Sequence, residues 1–164
     1  MPQETKQISF NYTVFSSAEA LSQEDKALLL QAREATGDAY APYSMFHVGA
    51  AAILNNGKII KGSNQENASS PAGLCAERVL LSAVSSFYPE SLIQTIAISY
   101  SNKKNTESTR PVAPCGICRQ SILEYELKQQ QPIKLILSGI EGEVLVIDSI
   151  THLLPFSFSA SDMQ

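Results

Sequence analysis

The sequence contains no tryptophan, only three cysteines and two histidines, and no cluster of lysine and arginine. With a net charge of −4, it lacks the positive surface that binding to DNA or long RNA usually requires. No window contains eighteen apolar residues, which argues against a membrane span. The N-terminus lacks a basic region followed by an apolar region, which argues against a secretion signal. These absences predict a cytoplasmic protein whose partner is a small molecule, with no nucleic acid and no membrane.

The length and composition fit one globular domain. Hydrophobic residues make up 44% of the 164 residues, which is enough to bury a core, and no repeat, linker or biased tract divides the chain. We therefore predict a single domain over residues 1–164, with residues 1–20 as an N-terminal arm or edge strand. In that arm apolar residues alternate with polar ones at Ile8, Phe10, Tyr12 and Val14.

Helices and strands alternate along the rest of the chain. Ser22-x-x-Asp25 predicts the start of a first helix, and Asn56-Gly57 predicts the turn of a hairpin between two short apolar runs. Two helix–strand repeats begin at Cys75 and Cys115, and "EVLVI" adds a short strand. This order predicts an α/β three-layer sandwich: a mixed five-stranded sheet with helices on both faces.

The three cysteines form the most informative pattern. Cys115 and Cys118 stand at the start of a predicted helix with two residues between them, so both sulfurs can reach one ion. This pair alone is equally compatible with a structural zinc knuckle or two buried thiols. Cys75, at the start of its own helix, adds a third ligand. A structural site would usually have a fourth Cys or His, and neither His47 nor His152 has ligand-like spacing. We therefore predict a Zn²⁺ ion on three cysteines, with the fourth position open to water.

Glu77 is the predicted catalytic residue. It follows Cys75 by two positions, close enough to face the open zinc position without binding the metal, where a general acid/base would take a proton from water. Taken alone, a glutamate in the first turn of a helix is explained by the helix dipole. Together with the Pro-Cys-x-x-Cys pair it matches the zinc-deaminase signature, with Cys in place of the first His.

Positive charge should compensate the cysteine site. Three thiolates on Zn²⁺ leave a formal charge of −1, which weakens the acidification of a bound water. Two helix N-termini contribute partial positive charge, and Arg78 is predicted to donate a hydrogen bond to a thiolate. Arg119 adjoins Cys118 but is equally well explained as a surface residue.

From about residue 32 to residue 158 the sequence resembles the homotetrameric cytidine deaminases. The segments that carry the resemblance are "APYSMFHVGAA", "GSNQENAS", "CAER", "PCGICRQ" and "LLPFSF". The resemblance implies zinc-dependent hydrolytic deamination of cytidine and deoxycytidine to the uridine nucleosides with release of ammonia, as in pyrimidine salvage. It also implies a homotetramer. Glu77 would carry protons from water to N3 of the base and then to the leaving amine.

The resemblance further implies a set of substrate contacts. Asn64 and Glu66 would hold the ribose hydroxyls, which suits an amide and a carboxylate two residues apart on one strand face. Phe46 would stack on the pyrimidine ring, and Ala68 and Ala76 would offer backbone groups to the base. A polar strand end and an apolar core phenylalanine are the ordinary alternatives.

The sequence departs from the family pattern beside these contacts. Ser70 and Ala72 stand where the family usually has Tyr and Leu, which leaves the substrate range open. One alternative is a deaminase of another aminopyrimidine, such as blasticidin S, or of a modified nucleoside. A non-enzymatic alternative is a structural zinc protein or a nucleoside-binding protein. Phe158 is the first choice for an aromatic ring lent to a neighbouring subunit, and Phe156 is the second.

Overall fold

The computed structural model describes residues 3–105 and 107–163. The ends of the predicted 1–164 domain, and Thr106 of the polar loop before the second cysteine pair, lie outside the described residues. Within these residues, three α-helices and six β-strands follow one another in chain order: β1 (Thr13–Phe15), α1 (Gln23–Ala35), β2 (Phe46–Leu54), β3 (Ile59–Ser63), α2 (Ala76–Phe87), β4 (Ile93–Asn102), α3 (Gly116–Gln129), β5 (Lys134–Ser138) and β6 (Val144–Ile147).

The strands form one mixed sheet in the order β1-β6-β5-β4-β2-β3. Only β4 and β5 are parallel, as the intervening α3 crossover requires, and the other neighbouring strands are antiparallel. The sheet has six strands and not the predicted five. The additional strand is β1, which pairs with Val144–Val146 and so covers the outer edge of β6 with backbone hydrogen bonds.

Helices cover both faces of the sheet, which confirms the predicted three-layer sandwich. On one face, Leu28, Leu29 and Ala32 of α1 pack against the sheet. On the other face, α2 and α3 bury Leu80 and Ile122 against the sheet. Among residues 3–105 and 107–163, every helix is too short or too polar to span a bilayer.

A glycine on β3 fixes where α2 begins. A Cβ atom on Gly62 would lie 2.5 Å from the carbonyl oxygen of Ala76 and 2.6 Å from the backbone nitrogen of Leu80, so no side chain fits there. The first turn of α2 therefore lies directly on the strand. This contact sets the position of Cys75, the residue just before the helix.

Candidate active site

The three cysteines come together where two helices begin. Cys75 is the N-cap residue of α2, Cys115 is that of α3, and Cys118 lies in the first turn of α3. Neither N-cap thiol forms a side-chain capping hydrogen bond, so both sulfurs are left for another partner. All three Sγ atoms lie within 4.8 Å of one another, with 3.9 Å between Cys75 and Cys115 and 3.5 Å between Cys115 and Cys118.

This geometry fits one tetrahedral zinc ion. Zinc–sulfur bonds of about 2.3 Å at tetrahedral angles would separate the sulfurs by about 3.8 Å, and the two measured distances lie on either side of that value. The pKa of Cys75 is lowered to about 6, chiefly because the Cys118 thiol donates a hydrogen bond to its sulfur, and the same contact raises the pKa of Cys118. Within the described part of the chain, neither His47 nor His152 belongs to this cluster.

Glu77 lies beside the sulfurs as a buried acid. It is in the first turn of α2, and only 4% of its surface is exposed. Burial raises the pKa of its carboxyl group above the ordinary value, because the charged form loses hydration. A raised pKa makes the protonated form accessible closer to neutral pH, as a carrier of protons requires.

A cavity of about 710 Å³ connects Glu77 and the cysteines with most of the predicted substrate contacts. The volume is in the usual range for a small-molecule site. Five predicted substrate residues line it together with the three cysteines and Glu77: Phe46, Asn64, Glu66, Ala68 and Ala76. The sixth, Phe158, is not among the described residues that line the cavity.

Comparison with known proteins gives a consistent result. The family model for the cytidine and deoxycytidylate deaminase zinc-binding region matches residues 22–131. The cytidine deaminase of Halalkalibacterium halodurans is 38% identical over 137 residues, which is 84% of this chain and 96% of the relative. The crystal structure of cytidine deaminase from Burkholderia pseudomallei superposes with a TM-score of 0.69 at 38% identity, covering 84% of this chain and all of that one. The blasticidin-S deaminase of Bacillus cereus is 28% identical over 140 residues, 85% of this chain and 95% of the relative.

The chain belongs to the cytidine and deoxycytidylate deaminase zinc-binding family. Family membership agrees with the zinc ion predicted from the cysteine spacing, and the sulfur geometry accommodates that ion.

In this deaminase-family site, the two predicted ribose-binding residues also support the start of β2. The Asn64 side chain accepts a hydrogen bond from the Val48 N–H at 2.7 Å and donates one to the Phe46 carbonyl at 2.9 Å. The Glu66 carboxylate accepts from the N–H groups of Tyr43 and Ser44 at 2.9 and 3.3 Å. The pKa of Glu66 is lowered, chiefly because the Ser44 side chain also hydrogen-bonds to it. Glu66 is therefore an anionic acceptor on the cavity wall.

The two arginines next to the cysteines have different roles. In the described structure the Arg78 side chain forms no hydrogen bond to a thiolate, and its positive charge contributes to the lowered pKa of Cys75. Arg119 donates to the carbonyl oxygens of Pro114 and Leu153, both at 2.8 Å. Arg119 thus ties the loop before Cys115 to the C-terminal segment, a structural role that the sequence left open.

The C-terminal aromatic residues are exposed, and neither is among the described residues that line this chain's own cavity. Phe156 is 95% exposed and Phe158 is 59% exposed. The segment is attached through the Phe158 carbonyl, which accepts a hydrogen bond from the Gln120 side chain at 2.9 Å. The two rings are therefore available to another surface.

Sequence reasoning did not identify the β4 side of the cavity. Ile98 and Tyr100 line it, as do Val112 and Ala113 of the loop before Cys115. The segment that forms β4 could be predicted as a strand from the sequence, but the register of β4 against β2 could not. That register brings Tyr100 beside Phe46.

Proposed function

We propose that this protein is a zinc-dependent deaminase that converts cytidine and deoxycytidine to uridine and deoxyuridine with release of ammonia, and that residues 1–164 form one deaminase domain. The observation that carries the proposal is the position of Glu77. Its buried carboxyl shares one cavity with three cysteine sulfurs at zinc-ligand spacing and with Asn64, Glu66 and Phe46. Acid, metal ligands and groups suited to a nucleoside are thereby combined in one site.

The chain's own residues account for the proton transfers. When bound by Cys75, Cys115 and Cys118, zinc would supply a Lewis acid that lowers the pKa of water. Glu77 takes a proton from the attacking water and gives it to N3 of the cytosine ring. It then carries a second proton to the amine that leaves from C4. Burial supports this role because it raises the pKa of Glu77.

Substrate binding uses other residues that line the same cavity. Phe46 provides the aromatic surface for the pyrimidine, and Asn64 and Glu66 bind the ribose hydroxyls. Glu66 is suited to this role because it is an anionic acceptor held in place by two backbone N–H groups. The backbone groups of Ala68 and Ala76 complete the contacts with the base.

A second candidate is deamination of another aminopyrimidine such as blasticidin S or a modified nucleoside. Two observations favour it: Ser70 lines the cavity as a small hydroxyl residue, and one relative is a blasticidin-S deaminase. A small residue at this position leaves room for a larger substituent on the substrate.

A substrate panel tests these functions. The purified protein is assayed for ammonia release from cytidine, deoxycytidine, cytosine, adenosine and blasticidin S, with Glu77→Gln as the matched inactive control. We expect release from cytidine and deoxycytidine and none from adenosine. Release from blasticidin S alone would favour the second candidate. Stoichiometric zinc without ammonia from any substrate would favour a structural or nucleoside-binding protein.

The proposal includes a homotetramer in the cytoplasm. Three unpaired thiols suit a reducing compartment, and the exposed rings of Phe156 and Phe158 suit a neighbouring subunit. Truncation after Pro155 should weaken the oligomer and lower turnover much more than it lowers zinc content. Light scattering and ammonia assays on the truncated protein provide the measurement. A tetramer with full activity after truncation would exclude both phenylalanines from the site.

A further inference from the structure

Tyr100 is a buried aromatic residue in the cavity wall that the proposed mechanism does not use. It lies on β4, is only 6% exposed and lines the cavity. Its ring is nearly parallel to that of Phe46, with the ring centroids 4.8 Å apart and an interplanar angle of 18°. This offset stacking is a favourable arrangement for two aromatic rings.

The sheet register holds this aromatic pair in place. Tyr100 is directly opposite Val48 on the neighbouring strand, and Phe46 lies two residues before Val48, so both rings are on the same face. The backbone of Phe46 is fixed as well, since its N–H donates to the Ser44 hydroxyl at 3.0 Å and its carbonyl accepts from the Asn64 side chain at 2.9 Å. Tyr100 therefore limits the orientations open to the Phe46 ring.

The hydroxyl group of Tyr100 distinguishes it from an ordinary core tyrosine. It forms no hydrogen bond to any residue in the described ranges, and it is not among the polar atoms sealed from solvent. Tyr125, in contrast, donates its hydroxyl proton to the Leu81 carbonyl at 2.9 Å. Because a largely buried tyrosine hydroxyl normally has a partner, the cavity that Tyr100 lines is the place where it would find one.

We propose that Tyr100 is a substrate-positioning residue of this site. Its ring fixes Phe46 as a flat wall for the pyrimidine, and its hydroxyl hydrogen-bonds to the bound nucleoside. The inference rests on the proposed function, because it takes a pyrimidine nucleoside as the ligand. It adds a residue that neither the cysteine pattern nor the polar segment around Asn64 and Glu66 predicted.

Two substitutions separate the ring from the hydroxyl. Tyr100→Leu fills much of the volume but removes the aromatic face, and we expect the KM for cytidine to rise about 10- to 100-fold, with kcat and zinc content close to wild type. Tyr100→Phe restores the ring, so its KM should rise only about 3- to 10-fold through loss of one hydrogen bond. Tyr125→Phe is the matched control, and its KM should be unchanged because Tyr125 bonds to the backbone outside the cavity.

The KM–kcat split distinguishes positioning from a structural role. A wild-type KM in Tyr100→Leu, with or without losses of kcat and zinc, would overturn the proposal. A wild-type KM in Tyr100→Phe would overturn the role of the hydroxyl, and this variant decides that point even where the leucine variant does not fold. If the wild type deaminates no nucleoside, the proposed function fails, and calorimetric titration with cytidine then decides the inference. Weaker binding by either variant supports it, whereas equal binding, or no binding by the wild type, overturns it.

Discussion

The protein buries two glutamates on neighbouring helices, and their surroundings are opposite in kind. Glu126 on α3 is 6% exposed, and its carboxylate accepts hydrogen bonds from the N–H groups of Ile133 and Ile150, at 2.7 and 3.1 Å, and from the Ser149 hydroxyl. Glu77 on α2 is 4% exposed, but it adjoins the cysteine sulfurs and an open cavity.

The difference shows that burial alone does not identify a catalytic acid. Glu126 accepts hydrogen bonds from two other segments of the chain, so it connects α3 with the residue before β5 and with the C-terminal segment. Burial leaves the ionised form of Glu77 poorly stabilised and raises its pKa. We therefore propose that Glu126 contributes to stability and that Glu77 acts in the chemistry.

The largest effect on activity should come from removing a cysteine that lies beside Glu77. Cys115→Ala takes one of three sulfurs from the cluster, so we expect zinc content to fall from one ion per chain toward none and ammonia release to be lost. Metal analysis of the purified variant is the measurement. Ser121→Ala on the same helix is the control and should keep its zinc, since Ser121 only donates to the Ile117 carbonyl. Unchanged zinc in Cys115→Ala would exclude that residue as a ligand.

The next largest effect on activity should come from substitution of Glu77 itself. Glu77→Gln keeps the shape of the side chain but removes its titratable proton, so kcat should fall at least about 100-fold while zinc and nucleoside binding persist. Turnover, zinc content and cytidine binding are measured on the same preparation. Turnover within about tenfold of wild type would be too small a loss for a general acid/base and would end the assignment.

Glu126→Gln should have the opposite effects to Glu77→Gln: lower stability with little change in activity. The amide oxygen can take the place of Oε2, which accepts from the N–H groups of Ile133 and Ile150, but the NH₂ group then replaces Oε1 and the Ser149 hydroxyl loses its acceptor. We expect the free energy of unfolding to fall by about 1–3 kcal/mol with kcat nearly unchanged. Urea denaturation and the ammonia assay together test this. A large loss of kcat at unchanged stability would contradict the division between the two glutamates.

The two glutamates also show which features of the protein could be predicted from its sequence. Cys75, Glu77 and the Cys115–Cys118 pair were recognisable because their chemistry depends on short spacings at predicted helix starts. The helix–strand order likewise predicted the layers of the fold. Local patterns of this kind can be recognised without knowledge of tertiary contacts.

The features that sequence reasoning missed depend on contacts between distant segments. In the sequence Glu126 resembles an ordinary charged residue on a helix, and its role is visible only from the hydrogen bonds donated by Ile133 and Ile150. The pairing of Phe46 with Tyr100 requires the register of β2 against β4. Residues 1–20 were predicted as an arm or an edge strand, and the sequence could not show that three of them pair with β6, more than a hundred positions along the chain. No short spacing encodes these pairings.

The smallest effect should be the pH dependence of stability that Glu77 imposes. Because folding raises the pKa of Glu77, its protonated form favours the folded state; this contribution is complete below the unfolded pKa and is lost as pH rises through the folded pKa. Glu77→Gln removes this titrating group.

After treatment of the wild type and Glu77→Gln with a chelator, the variant should match the wild type at low pH and become the more stable of the two toward neutral pH. Urea denaturation at a series of pH values measures this difference, and Glu126→Gln, measured alongside, should remain less stable than the wild type at neutral pH. A Glu77→Gln variant that loses stability relative to the wild type as pH rises would mean that the Glu77 carboxylate is stabilised in the folded protein, and the contrast between the two acids would fail.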